Sequence, residues 1–265
     1  MDISKEYTIL KSLGKGGEGI VLKVSLNNGP HKGEIRALKV YYKNVTKENT
    51  LNFYARMKEL LEYIYHPKNK IPKNLLKWYR IFIGRYKNQE RYILEMEYVE
   101  GSNMENLVKF IEESKTGNLI ATPQFIEKVF VGFLEVFRWL NNIDYQLFDT
   151  KPDNVIGTNG RFMFIDPSFI PLSYDLESED DLDLEDDYIG LYGLASLVFA
   201  FIFGEKAITR LALQSYKKGN KNYIRDIMEK TGNNYPEKII KAFEMCVYQH
   251  DKVLAKDVLK VLTDQ

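Results

Sequence analysis

The residues with the clearest chemical potential lie between 149 and 166, in DTKPDNVIGTNGRFMFID. A carboxylate stands at each end, Asp149 and Asp166, with Lys151 and Asn154 following the first. Carboxylate and amide oxygens gathered at one spot suit a divalent cation that carries phosphates, because Mg²⁺ takes one or two carboxylates plus substrate phosphate oxygens. Such a gathering requires Asp166 to fold back beside Asn154. The intervening stretch supplies the means. Val155 and Ile156 read as a short strand, Thr158-Asn159-Gly160 as a tight turn, and Phe162 to Ile165 as a second strand. Asn-Gly between apolar runs is a strong hairpin signal. Taken alone, the same residues also describe a plain polar loop with a hairpin, so the rest of the chain must decide.

A second group of residues precedes it. Residues 7–13 and 20–26 are rich in β-branched and apolar types and read as strands. Between them lies GKGGEG, with Gly14, Gly16 and Gly19 in G-x-G-x-x-G spacing. Glycines let backbone approach phosphate oxygens with no Cβ in the way. The dinucleotide fingerprint requires a helix after the glycines. Ile20 to Leu26 instead alternates with period two, which argues for a glycine-rich hairpin lid. Residues 34–42 form a third strand, with Ile35, Ala37 and Lys39 on one face. A strand lysine is usually a solvated one, but Lys39 follows a glycine lid and shares its face with Ala37. Thr46 to Tyr65 then reads as a helix, with Thr46 as N-cap and Pro67 as its stop. Glu48, Glu59 and Glu62 lie on it, and any of them is a candidate partner for Lys39. Leu75 to Ile83 and Arg91 to Tyr98 complete a five-stranded sheet with one main helix.

The remainder is mostly helical. Pro123 opens a long helix to Asn141, with Phe125, Val129, Phe133, Val136, Phe137 and Leu140 as its core stripe. Tyr188 to Phe203 is an apolar run of 16 residues. A membrane span needs about 20, so this run reads as a helix buried on all sides. Further helices are expected near 222–230, 236–249 and 252–263. Residues 175–187 hold nine acids and read as a solvated loop. The chain has 265 residues and a formal net charge of zero, which gives no support to a nucleic-acid binder. Charge is nonetheless uneven: residues 1–100 carry 19 Lys/Arg against 11 Asp/Glu, and residues 141–190 carry 13 acids against two bases. The single cysteine, Cys246, excludes a disulfide framework and favours a reducing compartment. With no signal-peptide pattern at the start, the expectation is a cytoplasmic α+β protein with no membrane span.

The order of these elements resembles the eukaryotic-type protein kinase family. Glycine lid between strands, lysine on the third strand, helix with glutamate, D-x-K-P-x-N, hairpin and a later aspartate span Tyr7 to about Leu262. The resemblance implies a bilobal kinase-like fold, with an N-lobe over 1–98 and a helical C-lobe over 99–265. It implies that Gly14, Gly16 and Gly19 cover the phosphates of ATP and that Lys39 contacts the α- and β-phosphates. Glu59 is the helix glutamate by its Glu59-Leu60 and Tyr63 setting, although counting back from His66-Pro67 places Met57 there instead. Val21, Ala37, Met96, Glu97, Val99 and Asn103 would line the nucleotide site, with Met96 guarding the pocket and MEYVEG as the hinge. Asp149 would take the proton of the attacking hydroxyl, Lys151 would steady the γ-phosphate, and Asn154 and Asp166 would hold Mg²⁺. The Lys after the catalytic Asp resembles Ser/Thr-directed members.

Some parts of the family pattern are missing. H-R-D is Leu147-Phe148-Asp149 here, and D-F-G is Asp166-Pro167-Ser168. The stretch from Asp166 to Asp187 is short, holds no A-P-E, and has no Arg partner in HDKVLAKD. Together these imply an activation segment that is not switched by phosphorylation. The expectation is therefore an ATP- and Mg²⁺-dependent Ser/Thr kinase acting on a protein substrate, a basic one if the acidic run attracts it. The alternatives are a small-molecule kinase of the aminoglycoside or choline sort, which shares Asp-x-x-x-x-Asn but lacks the Lys151-Pro152 pair, and a pseudokinase serving as a binding module.

Overall fold

Five antiparallel strands form the sheet of the first unit, in the order β1-β2-β3-β5-β4. They are β1 (Tyr7–Lys15), β2 (Gly19–Leu26), β3 (Ile35–Tyr41), β4 (Trp78–Tyr86) and β5 (Gln89–Glu97). The computed structural model describes all residues except 1, 43–48, 65–69, 115–120, 159–160, 166–167, 172–188, 205–207 and 264–265. Thr46, Glu48, Pro67, the Asn159-Gly160 turn, Asp166, Pro167 and the acidic run 175–187 therefore lie outside the described residues. The chain divides into two compact units, Met1–Ile71 with Leu76–Glu100, and Pro72–Leu75 with Gly101–Gln265.

Strand alternation gives the first sheet two distinct faces. Leu22, Val24, Leu38, Val40 and Ile93 point to one side, where they bury Ile3 and Tyr7. Ile3 belongs to a one-turn helix, α1 (Ile3–Glu6), capped by the Asp2 carboxylate on Ser4 N. The sequence had not signalled this turn. The same face also takes in Glu95, a charged residue that is nearly inaccessible. Its burial is offset by hydrogen bonds: the Tyr7 hydroxyl and Arg80 Nε each donate to Glu95 Oε2 at 2.7 Å. Burial, and then the hydrogen bond to the Glu95 carboxylate, push the Tyr7 phenol pKa well above its ordinary value. Helix α2 (Asn49–Ile64) buries Met57, Leu60 and Leu61 and packs on β4.

The expected fourth strand starts later than the sequence implied. Apolar Leu75 and Leu76 extend the pattern, but Leu75 leaves the sheet and bridges Phe164 in the second unit. Both leucines remain buried, so the burial was legible and the partner was not.

The described part of the second unit is mostly helical. It comprises α3 (Met104–Ser114), α4 (Pro123–Asn141), α5 (Gly190–Phe203), α6 (Ile208–Lys217), α7 (Tyr223–Glu229), α8 (Glu237–Tyr248) and α9 (Ala255–Thr263). Helix α4 starts where Thr122 accepts from Phe125 N and Pro123 takes the first turn, and it buries Val129, Phe130, Phe133, Val136 and Phe137. Helix α5 is buried from Gly190 to Ile202 and stops at Gly204, which adopts φ +67°. No single helix among the described residues is long and apolar enough to cross a membrane. Helix α6 was not anticipated. Cys246 is wholly enclosed in α8, and burial pushes its thiol pKa up.

Short strands complete the unit. β6 (Ser102–Asn103), β8 (Val155–Thr158) and β9 (Arg161–Phe164) form one sheet, and β7 (Tyr145–Phe148) pairs with β10 (Ser168–Pro171). The α+β class and the five-stranded antiparallel sheet are thus as expected.

Candidate functional site

The candidate residues fall into two groups, one in each unit. In the first unit the glycine loop joins β1 to β2. Lys15 pairs with Ile20, and Gly16 N donates to Gly19 O at 3.0 Å, so the chain reverses within a few residues. The glycines do different things. A Cβ on Gly19 would stand 2.4 Å from the Val40 carbonyl oxygen, so β2 and β3 can pair only with hydrogen at that position. A Cβ on Gly14, Gly16 or Gly17 would meet nothing within 4 Å. Packing within the chain therefore explains Gly19 and leaves the other three open to something that approaches the loop from outside.

This difference gives a direct expectation. Gly19→Ala should destabilise the protein by about 1–3 kcal/mol, because it overpacks backbone against backbone. Gly16→Ala should leave urea stability unchanged and weaken binding of a phosphate-bearing ligand. Equal stability losses in the two variants would show that the loop glycines serve the fold alone.

Strand register aligns the candidate lining residues. Val21 faces Lys39, Lys23 faces Ala37, and Ala37 faces Met96. Directly opposed residues share a face, so Val21, Ala37, Lys39 and Met96 all project from the side opposite the Ile3–Tyr7 core. Ala37, Lys39 and Met96 are buried. Glu97 follows, with its N–H donating to Lys77 O at 2.8 Å, and Tyr98 and Val99 are half-buried. Lys39 Nζ makes an ion pair with Glu18 Oε2 at 2.6 Å. Glu18 lies inside the glycine loop. The helix candidates Glu59 and Glu62 are exposed on α2. Sequence reasoning overlooked Glu18, although it is the one acid in GKGGEG.

In the second unit the chain leaves β7 and turns sharply at Asp149, which has φ +62°. Aspartate tolerates this left-handed region better than most residues, yet the conformation still costs about 1–3 kcal/mol unless its surroundings hold it. Asn154 holds it. Its Nδ2 donates to Asp149 O at 2.8 Å and to Asp149 Oδ2 at 2.9 Å. Lys151 Nζ binds the same Oδ2 at 2.8 Å. The five-residue spacing is closed by a single 3₁₀ turn, Pro152–Asn154, in which Asn154 N donates to Lys151 O. The Asn154 amide nitrogen is thus committed to Asp149, which turns Oδ1 of the same amide away from it.

The hairpin fixes what comes next. Val155 pairs with Phe164 and Thr158 with Arg161, a register that leaves two residues for the connection. Ile165 N then donates to Asn154 O at 2.9 Å. On the far side of residues 166–167, Ser168 pairs with Phe148, the neighbour of Asp149. The described residues on both sides of Asp166 are thus tied to Asn154 and to the strand entering Asp149. Asn103 supports the same loop from beneath: its Nδ2 donates to Asp153 O at 3.1 Å and its Oδ1 accepts from Glu105 N at 2.7 Å. Each polar end of Asn103 thus makes one bond that ties the start of α3 to the loop.

Among the described residues no group of three His, Cys, Asp or Glu side chains is gathered to hold a metal. Among the described residues of this loop, Asp149, Asp153 and Asn154 carry carboxylate or amide side-chain oxygens. Hard oxygen donors of this kind suit Mg²⁺, which keeps few protein ligands and completes its shell with water and phosphate. No protein-family model matches this chain, and no curated protein matches it.

Proposed function

We propose that this chain is a kinase-like phosphotransferase that moves the γ-phosphoryl group of ATP, with Mg²⁺, to a Ser or Thr hydroxyl of a protein. The observation that carries this reading is the constellation at Asp149. A carboxylate is held in a left-handed turn by an asparagine amide, and a lysine binds the same carboxylate oxygen. Phosphoryl transfer needs positioning and charge neutralisation more than covalent chemistry, and these residue types supply both.

In this reading Asp149 orients the substrate hydroxyl and accepts its proton as the oxygen attacks the γ-phosphorus. The bond from that phosphorus to the ADP oxygen breaks, and ADP leaves. Lys151 sits beside Asp149 to offset negative charge on the transferred group. Lys39, on the face shared with Val21, Ala37 and Met96, meets the other phosphates. The Gly14, Gly16 and Gly17 backbone takes the open side of the loop. Asn154 and Asp166 would hold Mg²⁺, which would supply positive charge to phosphate oxygens. Phe148 stands where the family has the Arg that reads a phosphorylated loop, so activity is independent of such phosphorylation. The acidic run 175–187 favours a basic protein substrate, and the free thiol of Cys246 suits the cytoplasm.

Incubation with terminally labelled ATP and Mg²⁺ should place label on serine or threonine of a basic generic protein, and chelation of Mg²⁺ should abolish it. Label appearing only on an aminoglycoside or on choline would transfer the chain to small-molecule kinases. No label on any acceptor would leave it a kinase-shaped binding module.

A further inference from the structure

The Lys39–Glu18 ion pair places a carboxylate on the cation that the phosphates are expected to use. Three features make this contact part of the loop's construction. The Glu18 carbonyl accepts from Tyr42 N at 2.8 Å, which fixes this residue beside the end of β3. Gly19, next in sequence, is pressed against the Val40 carbonyl, so the chain cannot shift away there. The carboxylate then reaches Lys39 Nζ at 2.6 Å.

The two partners differ in environment. The Lys39 side chain is 6% exposed and that of Glu18 is 55% exposed. A buried ammonium needs a counter-charge, whereas a half-exposed carboxylate returns to water at little cost. Another anion can therefore take its place beside Lys39. Two anions cannot both approach one ammonium without repelling each other.

We propose that Glu18 competes with the phosphate chain of the nucleotide for Lys39, which makes Glu18 the residue that sets affinity for that chain. The inference rests on the nucleotide reading above. It distinguishes ligands by charge: ATP and ADP must displace the carboxylate, and adenosine, which has no phosphate, need not. Glu18 acts through Lys39, so it is an affinity-setting residue and takes no part in the chemistry.

The test is calorimetric titration of the full chain and its Glu18→Gln variant with ATP, ADP and adenosine. Glutamine keeps the shape and removes the charge at an exposed loop position. The variant should bind ATP and ADP roughly three- to tenfold more tightly, a gain in the range of one partly exposed charge pair plus relieved repulsion. Adenosine affinity should not change. In a Lys39→Met background the Glu18→Gln gain should vanish, since the competition has lost its object. Equal or weaker ATP binding by Glu18→Gln, a gain that extends to adenosine, or a gain that survives Lys39→Met each overturns the inference while the nucleotide reading stands. Absence of nucleotide binding by both parent and Glu18→Gln overturns the nucleotide reading and this inference with it.

Discussion

On the proposed function, Asp149→Asn should lower phosphoryl transfer by roughly 10²–10⁴-fold, the usual contribution of a positioned general base, and should leave nucleotide affinity at the parent value. Asparagine is chosen over alanine for a structural reason. Residue 149 adopts φ +62°, which asparagine tolerates and alanine does not. The amide also offers an oxygen to Asn154 Nδ2, whose two hydrogen bonds hold the turn. A fall in turnover with unchanged thermal stability therefore reports the lost carboxylate, not a relaxed loop. Asp149→Ala should lose the same activity together with some stability. Parent-like turnover in Asp149→Asn would sink the general-base assignment and, with it, the reading of this loop as a catalytic one.

Phe133→Ala should reduce stability by about 3–5 kcal/mol, as expected for truncating a fully buried aromatic. The effect should reach the site as well. Phe133 of α4 is completely buried, and its ring lies 4.4 Å from that of Phe164 in β9. Phe164 is paired with Val155 and also receives Leu75, and its N–H donates to Asn74 O. The hairpin next to Asn154 thus leans on this contact, the tightest of the ring contacts that Phe164 makes with Phe133 and Phe137. Urea titration followed by tryptophan fluorescence measures the stability loss. Turnover at a temperature where the variant is still folded should also fall, because Asn154 loses its support. A loss below about 1 kcal/mol would mean that the cavity collapses and that Phe133 is not the support of the hairpin.

Local features were the legible ones. Asp149, Lys151 and Asn154 are close in sequence, so one short turn brings them together, and their grouping could be read from spacing alone. The hairpin was equally readable, because Asn159-Gly160 sits between apolar runs and only one short register satisfies both. Sheet alternation put Ala37 and Lys39 on one face, and the register extends that face to Val21 and Met96. Distant pairings were not legible. Leu75 carries the same apolar signal whether it extends β4 or crosses to Phe164, and periodicity cannot choose between them. Strand β10 is four residues long and pairs across a gap of about twenty with β7, too short for a pattern and too far for a turn signal. The Lys39–Glu18 contact depends on how the glycine loop folds back, which no spacing rule encodes. Helix α6 was missed although Ile208, Thr209 and Ala212 are buried, because its apolar stripe is thin beside the neighbouring α5.

The placement of Pro72–Leu75 has a consequence for how this chain is made. These four residues belong to the second unit, yet the chain passes through them between two stretches of the first. Asn74 Nδ2 donates to the Phe162 carbonyl, 88 positions later. At a synthesis rate of about 5–20 residues per second, the nascent polypeptide waits roughly 4 to 18 s between making Asn74 and making its partner. Strands β1 to β3 are already made when that interval opens, and β4 and β5 are finished early within it. Biogenesis of this protein thus proceeds with one sheet able to assemble while a tether in its middle stays unpaired, and a ribosome stalled near residue 100 would hold that sheet with its tether still waiting for the second unit.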